Sequence, residues 1–152
     1  MEIYKTPSAI ILILSRELNG KKQILLQRRQ NTGFADGLWD FSCAGKVEKG
    51  ETMTATAVRE AREELGVEVA PDKIHFICLV HKRDESADLT YINAYFICSK
   101  FEGEPTVCEK EKCSELRWFD LDGLPDDLID DRRQALNSYF NGINYIEYGW
   151  KA

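Results

Sequence analysis

Positive charge is in short supply in this chain. Lysine and arginine number 20 against 26 aspartates and glutamates, a formal net charge of -6 over 152 residues. That argues against a nucleic-acid backbone as the main partner, because surfaces that track phosphates are usually basic. It leaves room for a phosphorylated small molecule, since a divalent metal can bring positive charge locally. Long apolar runs are missing too. The run Ala9–Leu14 is too short for a membrane span, and "MEIYKTPSAIILILSRELNG" lacks a signal-peptide cleavage pattern. No two of the five cysteines form C-x-x-C, and Cys108 and Cys113 have no histidine nearby. A zinc site is therefore not expected, and free thiols in a reducing cytosol are. No internal repeat, low-complexity tract or linker interrupts the chain. These absences predict one cytoplasmic domain over residues 1–152, with no membrane or nucleic-acid partner.

What is present reads as strands and helices in alternation. "SAIILIL" and "KQILLQRR" flank Asn19-Gly20, a hairpin signal. "QNTGFADGLWDFSCAG" reads as a loop ending in a short strand. "DKIHFICLVHKR" and "LTYINAYFICSKF" are β-branched and aromatic, hence two more strands, with "DESAD" as the loop between them. "ELRWFDLDGLP" is a short strand that closes into a turn. Leu128, Ile129, Leu136 and Phe140 recur at helical spacing in "DDLIDDRRQALNSYFNG". The order of strands, helix, strands, helix suits an α/β fold, a mixed sheet covered by helices.

"GKVEKGETMTATAVREAREELGV", residues 45–67, predicts a helix over Thr52–Leu65. Threonine suits the cap and Gly66 the stop. At about 100° per residue, Met53, Ala57, Ala61 and Leu65 form an apolar stripe. Glu60, Glu63 and Glu64 cluster at its edge, where i,i+3 and i,i+4 spacing lets three carboxylates approach one point. Arg59 can steady Glu63 from one turn away. Such a pattern is common on solvated helix edges. Here it follows a glycine loop carrying Gly45, Gly50 and Glu51. Oxygen ligands on a rigid helix suit magnesium, which usually binds one or two carboxylates plus substrate phosphates.

The segment resembles the Nudix box: Gly, five residues, Glu, seven residues, Arg-Glu, an apolar residue, any residue, Glu-Glu, any residue, Gly, an apolar residue. Gly45, Glu51, Arg59, Glu60, Ala61, Glu63, Glu64, Gly66 and Val67 stand in that register. Seven fixed identities arise by chance at roughly one in 10⁸ to 10⁹ positions. The resemblance implies an α/β/α sandwich with a mixed sheet. It implies hydrolysis of a diphosphate linked to another moiety, with Mg2+ or Mn2+ as cofactor and a nucleotide-like small molecule as partner. Glu60, Glu63, Glu64 and the Gly45 carbonyl would hold the metal, while Arg59 and Glu51 orient that shell. Glu64 or Glu60 would be the general base, with Glu109 and Glu111 of "EGEPTVCEKEKCSE" as loop alternatives. The habit of the family also leaves room for a homodimer.

Substrate contacts are read more coarsely. "LLQRR" resembles the strand end that supplies a phosphate- or base-contacting arginine in MutT-like members, and Arg29 fits better than Arg28. Phe34, Trp39, Phe41, Tyr91 and Tyr95 offer a stacking wall or simply core. His81 leaves a strand toward a loop that would line the cleft, or is only a hydrogen-bonded or exposed imidazole. One departure stands out. "FSCAG" replaces the commoner run of Leu or Phe, Pro, Gly, Gly before the box. Cys43 there resembles the cysteine of the isopentenyl-diphosphate isomerase branch, though that branch usually has a degraded box. An isomerase and a non-catalytic nucleotide sensor are the alternatives to a hydrolase.

Overall fold

A computed structural model of the chain describes residues 1–151. Its centre is β1 (Ser8–Leu18). β1 runs parallel to β6 (Leu89–Cys98), with Ile11 opposite Tyr95. On its other side it changes partner along its length. Its first half is antiparallel to β4 (Cys43–Lys46), with Ile10 opposite Gly45. Its second half is antiparallel to β2 (Lys21–Arg29). Beyond β2 lie β3 (Trp39–Phe41) and β7 (Cys113–Asp120); beyond β6 lie β5 (His75–Asp84) and β8 (Tyr145–Tyr148). The sheet is mixed: β1 with β6 and β5 with β8 are parallel, and the remaining pairs are antiparallel.

Burial on both faces explains why β1 is almost continuously apolar. Ile10, Leu12 and Leu14 pack with Ala57, Ala61 and Leu65 of α1 (Met53–Leu65). The alternate residues Ile11 and Ile13 pack with Ala135 and Leu136 of α2 (Asp130–Phe140). Two helices therefore cover opposite faces of one sheet, the layered architecture expected from the sequence. Asn19 and Gly20 form the two-residue β1–β2 turn with φ of 53° and 78°, as a type I′ hairpin requires.

Helix α1 starts and stops as its sequence predicts. Thr52 Oγ1 accepts from the Ala55 N–H at 3.1 Å. Gly66, at φ 69°, returns its N–H to the Ala61 and Arg62 carbonyls. Helix α2 begins later than its periodicity suggests. Leu128 and Ile129 are buried ahead of the helix, because Trp39 engages that backbone: its N–H donates to Asp127 and its carbonyl accepts from Ile129. Phe140 is half exposed rather than part of the stripe. Strand β8 was not anticipated. No helix among the described residues is long and apolar enough to cross a membrane.

Candidate active site

Arg59 organises the acidic edge of α1. Its Nε and Nη2 grip Glu51 at 2.8 and 3.0 Å, a two-pronged carboxylate contact. Its Nη1 donates to Glu60 at 2.7 Å and to Glu63 at 3.3 Å. Its Nη2 also reaches the Lys46 carbonyl, 3.3 Å away on β4. Glu51 in turn accepts from the Glu48 N–H and the Thr56 hydroxyl, both at 3.0 Å. The Arg59 guanidinium, followed by the Glu48 N–H, holds the Glu51 carboxyl down to about 2. The loop between β4 and α1 is thus pinned to the helix by Arg59, through Glu51 and, at 3.7 Å, Glu48.

Glu60 and Glu64 meet on the inner side. Burial raises the Glu64 carboxyl well above the usual range, and its hydrogen bond with Glu60, the Glu60 charge and the Glu109 charge add to that. The Ala44 N–H opposes these effects. Glu63 stands apart, with its side chain 54% exposed and held by Arg59. The three carboxylates therefore do not close on one point as the spacing suggested. No group of three or more His, Cys, Asp or Glu is gathered into a metal-ready cluster among the described residues. The reason is local: Arg59 draws Glu60 and Glu63 toward Glu51. Gly45 completes the arrangement. A Cβ on it would lie 2.3 Å from the Glu60 Cδ, so the Glu60 carboxyl fills the space that any other residue would take.

These residues fit a hard divalent cation. The donors are all oxygens, as magnesium and manganese prefer. Glu60 and Glu64 are half-buried carboxyls in contact; Arg59 touches Glu60 but not Glu64, so a further positive charge beside Glu64 would let both ionise.

A cleft of about 490 Å³ opens beside Gly45. Arg29, Lys46, Lys82 and Arg132 give it positive charge, and Phe34, Leu89 and Tyr91 give it apolar surface. Arg29 is where the sequence placed it, at the end of β2. It donates to Asp40 at 3.0 Å and to the Phe34 carbonyl at 2.8 Å. Phe41 and His81 do not reach this cleft. Phe41 is fully buried, edge-on to Tyr95 at 6.2 Å. His81 packs its ring 4.7 Å from Trp150. Trp39 and Tyr95 are core residues as well, which leaves Phe34 and Tyr91 of the expected stacking wall. Glu109 lines a small void of about 30 Å³ together with Glu64 and Ser42. Glu111 is not at that void; its backbone carbonyl accepts from the Asn31 amide at 3.1 Å. Cys43 is fully buried in the apolar core, and burial pushes its thiol up.

One buried network escaped the sequence reading. Asp40, fully buried, receives Arg132 Nε at 2.8 Å and Arg29 Nη1 at 3.0 Å. Arg132 also donates to the Tyr95 hydroxyl at 3.1 Å. Lys82 pairs with Asp131 at 2.9 Å. The one sequence signal was an acid between two aromatics in "WDF", without any hint of its partner in α2.

Comparison with known proteins fits this geometry. The NUDIX domain family model matches residues 5–139. The chain belongs to the Nudix family. A MutT Nudix hydrolase from Burkholderia pseudomallei superposes with a TM-score of 0.74 at 28% identity, over 88% of this chain and 98% of that one. A putative 8-oxo-dGTP diphosphatase of Bacillus subtilis is 28% identical over 93% of this chain and 84% of its own length. Dihydroneopterin triphosphate diphosphatase of Escherichia coli is 33% identical over 50% of this chain. The chain spans 47% of that enzyme's length, about half. The Nudix box therefore sits in a Nudix fold, with its glycine against its first paired glutamate.

Proposed function

We propose that residues 1–152 form one domain that hydrolyses a nucleoside di- or triphosphate, or a related diphosphate-linked nucleotide, with water attacking a phosphorus. The observation that carries this reading is the Glu60–Glu64 carboxyl pair, seated against Gly45 at the edge of a cationic cleft. Relatives named as diphosphatases and pyrophosphohydrolases support the reaction class. Glu60, Glu63, Glu64 and the Gly45 carbonyl would hold magnesium or manganese. That ion, when bound, would polarise phosphoryl oxygens, acidify an attacking water and offset the charge of the leaving phosphate.

The side chains supply the rest. Arg59 and Glu51 fix the rotamers of the acids, so that little reorganisation is needed. Glu64 takes the proton of the water, because it sits beside Glu60 and near Glu109, free of the Arg59 fork that holds Glu51, Glu60 and Glu63. Lys46 and Arg29 draw the phosphate chain toward Gly45. The free cysteines suit a reducing cytosol.

The test is a nucleotide panel with magnesium, scored for monophosphate plus pyrophosphate or phosphate. Turnover on at least one nucleotide is expected. A blank panel accompanied by tight binding would replace the hydrolase with a nucleotide sensor. No observation favours an isomerase, since Cys43 is sealed in the core.

A further inference from the structure

Asn93 lies in β6 between Ala9 of β1 and Val80 of β5. It is 6% exposed and lines the cleft. Its carboxamide hydrogen-bonds no side chain or backbone group among the described residues. It is not sealed away either, because the two enclosed side-chain polar atoms without partners are Arg28 Nε and Ser42 Oγ. Of the cationic groups that line the cleft, Arg29 and Arg132 are engaged with Asp40 and Lys82 with Asp131, and Lys46 alone has no acidic partner among the described residues. Asn93 is thus a buried polar side chain directed to the cleft with its donor and acceptor unused. Buried polar groups are rarely left without a partner, and here water or a ligand in the cleft must complete them.

A carboxamide presents an N–H donor and a C=O acceptor side by side. Its complement is a ring edge with an acceptor and a donor on neighbouring atoms, as asparagine finds on adenine. Phe34 and Tyr91 border the same cleft and give a ring its faces. We propose that Asn93 is a specificity-determining residue that reads the edge of a heterocyclic base. This rests on the cleft being where the substrate of the proposed reaction sits.

Binding decides the matter without turnover or metal. Calorimetry with AMP, GMP, CMP and UMP is compared with ribose 5-phosphate, which has no base. At least one nucleotide is expected to bind about tenfold or more tighter than ribose 5-phosphate, as two neutral hydrogen bonds would give. Asn93→Ala is expected to weaken the preferred nucleotide about tenfold, levelling the four bases while Phe34 and Tyr91 still stack them, and to leave ribose 5-phosphate within twofold. Asn93→Leu, of similar size, serves if the alanine variant does not fold. Asn93→Asp accepts only, and is expected to shift preference toward GMP, whose ring N–H and amino group donate side by side. The proposal is overturned if no base binds better than ribose 5-phosphate, or if both ligands weaken equally in Asn93→Ala. A protein that binds bases through Asn93 yet cleaves nothing would sink the hydrolase reading alone.

Discussion

Gly45 and Glu60 share one space: the carboxyl of Glu60 stands where a side chain of residue 45 would project. Gly45→Ala must therefore displace Glu60 or bend β4 away from β1. Displacing an acid proposed to hold the ion is expected to weaken manganese binding by about 10- to 100-fold, the range for disturbed metal shells. Titration followed by electron paramagnetic resonance reads it. Unchanged manganese affinity in a folded Gly45→Ala protein would detach this glycine from the metal site.

Glu64→Gln separates catalysis from folding. Losing the proposed base is expected to cut turnover by about 10²- to 10⁴-fold. The melting temperature of the metal-free variant is expected to hold or rise, because an amide is neutral without the proton that burial and Glu60 force on the Glu64 carboxyl. Kinetics and calorimetry on one preparation read both. Near-normal turnover would move the base to Glu60 or Glu109.

Arg59→Lys keeps the charge and loses the fork. Lysine cannot grip Glu51 with two parallel bonds while reaching Glu60. A loss of about 10- to 100-fold in metal affinity is expected, with a smaller change in melting temperature. A lysine variant with parental metal affinity would show that charge alone suffices.

Asp40→Ala leaves Arg132, buried in the core, with only the Asp131 carboxylate at 3.3 Å and the Tyr95 hydroxyl at 3.1 Å. Removing one partner of a buried ion pair costs about 3–5 kcal/mol, a large share of ordinary domain stability. Urea unfolding measures it. A loss below 1 kcal/mol would mean that Asp131 and Tyr95 suffice for Arg132.

The box was legible because its chemistry is local. Thr52, Arg59, Glu60 and Gly66 act across one to a few helical turns, and spacing alone sets those neighbours. Phe41 and His81 were misplaced because a strand residue points to the core or the cleft according to register, and register is settled by partners far along the chain. Phe41 is opposite Leu26 and His81 opposite Ile92. Asp40 and Arg132 meet across 92 positions, a pairing no local pattern encodes. Leu128 and Ile129 resembled helix because burial in an extended approach can share helical spacing by coincidence. Strand β8 is four residues with burial too weak to leave an alternating pattern.

The change of partner along β1 has a consequence for how the protein comes into being. Ile11 pairs across the sheet with Ala44 and with Tyr95. Synthesis proceeds at about 5–20 residues per second, so the isoleucine- and leucine-rich β1 emerges seconds before β6. Its sticky edge must wait, and parallel pairing across such a separation is slow to close. The nascent chain is expected to depend on a chaperone, or on early β1–β2 hairpin closure at Asn19-Gly20, during that interval.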